Sequence, residues 1–546
     1  MDWLEPNQSM IRVLLLVASK LKVLDLSNCE YLMRTPDLST LVSLERLILE
    51  DCRNLIAIDP SIGKLKLLTT LNLKGCNSLQ ELPEEIGCLQ ALTEIVMPNM
   101  LHELPRTFGN LQSLLTFDVS YRLISKLPYS IGGLVKLRRL NLSGCMKIEE
   151  LPYSFGELQS LVELDLSSTS LGYLPDSIGN LKQLKILRMT HISRITKLPS
   201  VIGLMEKLEE LDASRCYNLT GKITNEIWKL SCLRILDLSY TLLSSLPTTL
   251  SYLSNLQRLK LESCPELQQL PRLPSTLTCL KWTADTDKFY EGMRFAQASA
   301  LPSIEGPPLK LPRVELSNTM HDRRLLRSSF DFDFFAGQNL PSSFDFDFVP
   351  GQNLPSSLRE LELGNVTIES RNFSNLKNLS TLRLASCVMS GYISWTDELM
   401  RGPELLPNVL DLSPMTNLQE VHLLGIWDLV ELGGLEELGS LCFLSIVDCN
   451  SMERMSDLSK LRKLRKLRVG KCPKLRSVEG LNHLESLQKL WIHDCRWLES
   501  LAATSDLHLE CSTIERCERL RNRNSYCRCH DNRDSVETEL DHAGYF

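Results

Sequence analysis

The stretch LRRLNLSGCMKIEELPYSFGELQS, Leu137 to Ser160, decides how the chain is read. Leucines stand at Leu137, Leu140 and Leu142, followed by Cys145, Leu151-Pro152, Phe155-Gly156 and Leu158. Displaced by 23 to 25 residues, the stretch meets copies of itself, LTTLNLKGCNSLQELPEEIGCLQA from Leu68 and LVELDLSSTSLGYLPDSIGNLKQ from Leu161. A further copy, LRILDLSYTLLSSLPTTLSYLSN, begins at Leu233. The last two leucines of LxxLxL are two residues apart. An extended strand therefore turns both to one face and Arg139, Asn141 and Ser143 to the other. One strand cannot bury its own leucines, but stacked copies can, with a single core behind a parallel sheet. The Leu-Pro half must return the chain. Proline, with fixed φ and no amide proton, suits the start of a helical turn. The glycine is expected to permit the bend that ends it.

This is the spacing of a leucine-rich repeat. The expected fold is an α/β solenoid, a horseshoe with a parallel concave β-sheet and short helical or irregular convex returns. Residues 1–20 read as a lead-in or partial repeat. Residues 21–283 form an N-terminal block with starts at Leu21, Leu44, Leu68, Leu92, Leu114, Leu137, Leu161, Leu184, Leu208, Leu233, Leu256 and Leu277. Residues 284–357 break the period with a proline cluster and a duplicated unit, SSFDFDFFAGQNLP (328–341) and SSFDFDFVPGQNLP (342–355). That unit reads as a tolerated loop or as an acidic-aromatic docking motif. The stretch as a whole reads as a protease-sensitive hinge between two repeat blocks. Residues 358–506 form a C-terminal block with starts at Leu358, Leu379, Leu418, Leu441, Leu464 and Leu487, and an insertion near 388–414. Residues 507–546 read as a decayed repeat and a polar tail.

With a net charge of −7 the chain has no overall nucleic-acid signature, and no nucleic-acid partner is expected. No apolar run approaches the roughly 20 residues of a membrane span. The apolar run Val13 to Ala18 is short and follows Asp2 and Glu5, unlike a secretory signal. Of six N-x-S/T sequons, the one at Asn141 lies inside an expected strand. Ten of eighteen cysteines share one phase, three residues after the last strand apolar residue: Cys29, Cys52, Cys76, Cys145, Cys216, Cys264, Cys387, Cys449, Cys472 and Cys495. One per repeat, they make a ladder of small buried hydrophobes, not the close pairs of a zinc site. Reduced thiols point to an intracellular protein, in the cytoplasm or the nucleus.

No catalytic constellation and no cofactor or metal site is expected. The weak candidate is a zinc cluster of Cys511, Cys517, Cys527, Cys529 and His530, whose CxC spacing is not the usual CxxC clip. More informative is the outward residue between the two core leucines. It reads Asp25, Ile48, Asn72, Val96, Asp118, Asn141, Asp165, Arg188, Asp212, Asp237, Lys260, Lys281, then Glu362, Arg383, His422, Ser445, Arg468 and Trp491. The aspartates are either repeat framework or a binding stripe. Arg188, Arg383, Arg468 and Trp491 depart from the framework and are the partner-binding candidates, since Arg and Trp are enriched at interface hot spots. The run KLRKLRKLRVGKCPKLR, 460–476, holds nine basic residues, read either as solvated coil faces or as an acidic-partner patch or nuclear signal.

The run Leu21 to Pro83 resembles the leucine-rich-repeat region of plant TIR-NB-LRR disease-resistance proteins, through TPDLS, LERLILEDC, PSIGKLKLL and LNLKGC. The joints LPSTLTCLKW and LPSSLRELEL resemble it too. The resemblance implies a non-catalytic sensor in plant innate immunity. Its partners would be a pathogen effector, a guarded host protein or the nucleotide-binding domain of a receptor. Gly63-Lys64 and Gly221-Lys222 lack the phosphate loop and its Ser/Thr, so ATP binding does not carry over. With no room before Leu21 for a TIR domain, the expectation is the sensor region alone, as a truncated product or fragment. Two other readings stay open: an extracellular leucine-rich-repeat receptor fragment binding peptide or glycan, and a regulatory scaffold docking on an enzyme.

Overall fold

A computed structural model describes residues 19–284, 354–368, 373–389, 408–501 and 509–520. Nineteen strands, each pairing parallel with its neighbours, form one sheet. They run from Val23–Asp25 to Cys511–Glu515. The register is the one the leucine phase demands. Asp25 lies beside Ile48, Ile48 beside Asn72, and so on through Arg468 beside Trp491. All eighteen outward residues named above therefore fall in a single column. A nineteenth member, Thr513, follows Trp491. Its strand lies in the stretch read as a decayed repeat, where Leu509 and Ile514 keep the inward phase without the leucine motif.

Behind the sheet the leucines are almost all fully buried and join one continuous core. Many convex returns are 3-10 helices of three to five residues, such as Pro60–Lys64 and Ser200–Leu204, and others are irregular, as between Arg258–Leu261 and Cys279–Thr283. Four consecutive returns from Tyr129–Gly133 to Ser200–Leu204 have proline at the N-cap in extended conformation, as its fixed φ suggests. The glycine has a different role from the one expected. It lies inside the helix without a left-handed φ and makes room for the next coil. A Cβ on Gly203 would stand 2.6 Å from the Glu226 carbonyl oxygen and 2.9 Å from the Glu226 Cβ. The left-handed turn lies instead at the strand end, one residue before the cysteine position. Asn28, Asp51, Gly75, Gly144, Arg215, Lys471 and Asp494 all have φ between 50° and 73° there.

Strand length changes along the chain, in part for a local reason. Asp25, Asn72, Asp118, Asn141, Asp165, Asp212 and Asp237 each accept a hydrogen bond from the backbone N–H two residues on. Such Asx turns compete with the ladder and end the strand. Those strands are three residues long, as in Arg139–Asn141 and Glu210–Asp212. From Cys279–Thr283 onward the concave strands have no Asp or Asn at that position and extend to five residues, although Arg46–Ile48, Glu94–Val96 and Ile186–Arg188 also lack one and are three residues long.

The expected hinge is not a break in the sheet. Cys279–Thr283 pairs directly with Glu360–Gly364 in full register. Trp282 is completely buried at this joint, and Ser357 Oγ donates to the Leu277 carbonyl at 2.7 Å. Most of the 284–357 stretch, including the duplicated acidic-aromatic unit, lies outside the described residues. The insertion near 388–414 also leaves the sheet intact, since Thr381–Ala385 pairs with Glu420–Leu424.

Candidate functional site

The cysteine column behaves as a structural ladder. Cys52 donates from Sγ to the Leu26 carbonyl of the preceding coil at 3.0 Å, and Cys76 to Leu49 at 3.0 Å. Cys145 does the same to Val119 at 3.0 Å and Cys216 to Met189 at 3.1 Å. In the C-terminal block the partner changes. Cys449, Cys472, Cys495 and Cys517 donate to carbonyls of their own coil. The spacing rule identified ten members. Cys517 is an eleventh, on the coil whose leucines have decayed, with Ile514 three residues before it. Burial pushes the Cys52 thiol up to about 11 and those of Cys76 and Cys216 up to about 12. Among the described residues no group of three or more His, Cys, Asp or Glu is placed to hold a metal ion. Of the CxC cluster, Cys511 lies on the last strand and Cys517 is buried. Cys527, Cys529 and His530 lie outside the described residues.

The acidic half of the outward column belongs to the framework. Its carboxylates and amides hold the Asx turns just described. Asn141, the sequon inside a strand, also donates to Asp118 Oδ2 at 3.0 Å.

Several cations on this face are neutralised from a neighbouring strand or coil. Lys74 pairs with Glu50 at 2.8 Å and Arg139 with Glu163 at 3.4 Å. Arg188 pairs with Glu210 at 3.2 Å and Lys260 with Asp237 at 3.1 Å. Lys281 lies between Glu262 and Glu362, both at 3.1 Å. Burial alone would lower the Lys281 ammonium, but the two carboxylates outweigh it and raise its pKa. Arg383 reaches Glu420 at 3.4 Å. Beside it, His422 packs edge-on against Phe443 with ring centroids 4.7 Å apart. Burial and the Arg383 charge lower the His422 pKa, so its imidazole is neutral at pH 7.

One part of the face departs from this pattern. The outward residues of Phe443–Val447, Lys466–Gly470 and Lys489–His493 are Phe443, Ser445, Val447, Lys466, Arg468, Gly470, Lys489, Trp491 and His493. Not one is a carboxylate. Arg468 is half-buried, and burial lowers its pKa. Its Nε and the Trp491 Nε1 are shielded from solvent and have no hydrogen-bond partner among the described residues. Lys489 Nζ stands 5.9 Å from the Trp491 ring centroid. The four sequence candidates thus separate. Arg188 and Arg383 are each paired with a glutamate, whereas Arg468 and Trp491 are register neighbours on a carboxylate-free face. Sequence reasoning included Lys466 only within the basic run 460–476 and missed Lys489 and Phe443. Their outward position followed from the same phase, but the missing acids become visible only when three strands are set side by side.

Residues 129–226 match the family described as Leucine-rich repeat region. This is a leucine-rich-repeat protein. A leucine-rich-repeat protein of Leptospira interrogans is 20% identical, with 86% of this chain and 92% of that one covered and a TM-score of 0.52. At that identity the likeness is one of fold alone. The leucine-rich repeat domain of the type III effector XopL is 30% identical over 39% of this chain and 75% of its own, with a TM-score of 0.36. The functional domain of InlJ from Listeria monocytogenes, which includes a cysteine ladder, is 15% identical over 84% of this chain and 74% of its own, with a TM-score of 0.46. Among the described residues no helix is long and apolar enough to cross a membrane.

Proposed function

We propose that this leucine-rich-repeat protein is a non-catalytic recognition scaffold that binds a protein on its concave face, across strands Phe443–Val447 to Lys489–His493. The observation that carries the reading is the half-buried Arg468 beside Trp491 on three strands without an outward carboxylate. Elsewhere on the column Arg188, Lys260, Lys281 and Arg383 are each paired with a carboxylate. Here a guanidinium and an indole N–H are held ready for groups the chain does not supply, on a rigid base suited to hot-spot contacts.

The setting we propose is intracellular plant immunity, with a pathogen effector, a guarded host protein or the nucleotide-binding domain of a receptor as partner. The phrases TPDLS, LERLILEDC and LNLKGC support it. So do the free thiols of the ladder, which suit a reducing compartment, the cytoplasm or the nucleus. Photo-crosslinking in plant cells tests the reading. A photoreactive phenylalanine at Trp491 should yield a discrete adduct with one protein, and the same group at the convex Tyr153 should not. Equal adducts from both positions, or an adduct from Tyr153 alone, would contradict it.

A further inference from the structure

The partner's chemistry can be read further, on the basis of that reading. The nine cations of 460–476 do not sit on one surface. Lys460, Arg462 and Lys463 occupy the turns before the strand, Arg465, Lys466 and Arg468 reach the concave face, and Lys471, Lys474 and Arg476 follow the strand. None of the nine stands within ion-pair distance of a carboxylate among the described residues. The adjoining coils do form such pairs, Arg454 with Glu431 at 2.7 Å and Arg516 with Asp494 at 3.4 Å. Beyond the strand there are acids on the neighbouring coils, at Asp448 and Asp494 beside Lys471. On the concave face there are none: Arg465 lies between Cys442 and Gln488, Lys466 between Phe443 and Lys489, and Arg468 between Ser445 and Trp491. Along the groove the acids return, at Glu420 on one side and Glu515 on the other.

We infer that this face takes an acidic polypeptide segment, its carboxylates alternating with bulky apolar side chains, laid across the width of the solenoid along the Lys466–Gly470 strand. A long polyanion following the groove would meet Glu420, Glu360 and Glu362, so the charge pattern selects a short segment crossing it. At roughly 3.3 Å per residue, six to eight extended residues pass from Lys463 beyond Gly470. Phe443 and Trp491, two strands and two residues apart or about 12 Å, lie diagonally on either side of Arg468 and offer apolar ground beside the carboxylate it binds.

The test is fluorescence anisotropy on the full chain with two synthetic dodecapeptides, one alternating Asp with Phe and its twin with Asn for Asp. The Asp peptide should bind at least about tenfold tighter than its twin. Arg468→Glu should weaken it about tenfold or more, and Trp491→Ala by roughly 30-fold. Reversing Arg462 and Lys463 together should weaken it further, whereas Arg188→Glu should not. A second protein with Asp331, Asp333, Asp345 and Asp347 changed to Asn controls for the chain's own acidic-aromatic units. If the peptide binds only that protein, the chain's own units compete for the face, which also supports an acidic-aromatic occupant. Equal binding of the two peptides, or of the wild type and Arg468→Glu, would overturn the inference. If crosslinks at Trp491 persist in that case, the interaction surface stands and only the partner's chemistry is wrong. If they vanish too, both readings fall.

Discussion

Gly203→Ala tests whether the convex glycine is a spacer between coils. A Cβ there would lie 2.6 Å from the Glu226 carbonyl oxygen and 3.1 Å from its carbon, both backbone atoms of the next coil. No rotamer change relieves the contact. The coils must separate by several tenths of an ångström, while the strands Glu210–Asp212 and Ile235–Asp237 hold them together on the other side. Overpacking of this kind costs about 1–3 kcal/mol. Removing glycine flexibility from the unfolded chain returns about 0.4–1 kcal/mol. The net expectation is a destabilisation of roughly 1–2 kcal/mol. Gly172→Ala is the control, since nothing lies within 4 Å of its Cβ and its φ is not left-handed. It should be neutral or stabilising by up to about 1 kcal/mol. Urea unfolding followed by tryptophan fluorescence suits the comparison, because Trp228 sits on the coil that Gly203 touches. If both variants unfold like wild type, or Gly172→Ala proves the worse, the spacer argument is refuted.

Other consequences concern the ladder and the insertion. Cys145→Ala removes a buried thiol and its bond to the Val119 carbonyl, and should cost about 1–2 kcal/mol while leaving partner binding intact; calorimetry with a binding assay checks both. Because burial pushes the Cys76 and Cys216 thiols up to about 12, iodoacetamide should label the exposed Cys88 and Cys232 while Cys76 and Cys216 stay unlabelled until denaturant is added. Peptide mass spectrometry reads this, and early labelling of Cys216 would contradict it. Limited proteolysis should cut first within 284–357, yet the two fragments should co-elute in gel filtration, because Cys279–Thr283 and Glu360–Gly364 remain paired. Separation of the fragments without denaturant would restore the hinge reading.

The fold was legible in the sequence because a period-two strand and a conserved return were repeated often enough to fix register, and register fixed the outward column. Less legible were features that depend on two coils at once. The glycine reads alike in sequence whether it ends a helix or makes room for the next one, and only the nearness of Glu226 distinguishes them. The continuity from Trp282 to Leu363 was hidden because register neighbours are separated by a long insertion. At the candidate site, Arg188 and Arg468 were equivalent on the sequence. Glu210 lies two residues before the column residue of the next strand, so pairing Arg188 with it requires the side chain to reach diagonally. The framework role of Asp165 and Asp212 was readable in principle from the D-x-S spacing of an Asx turn.

The central claim is that recognition is concentrated on strands Phe443–Val447 to Lys489–His493. Its most direct test is the affinity of the crosslinked partner, once purified, for four variants of the full chain. Trp491→Ala should weaken binding by about 2 kcal/mol or more. Arg468→Glu should mainly slow association, an effect masked by high salt. Asp165→Ala and Asp212→Ala should lose stability through their Asx turns and keep the wild-type affinity when folded. Wild-type affinity in both C-terminal variants, with binding abolished by either aspartate substitution, would place the contact in the N-terminal block and contradict the account.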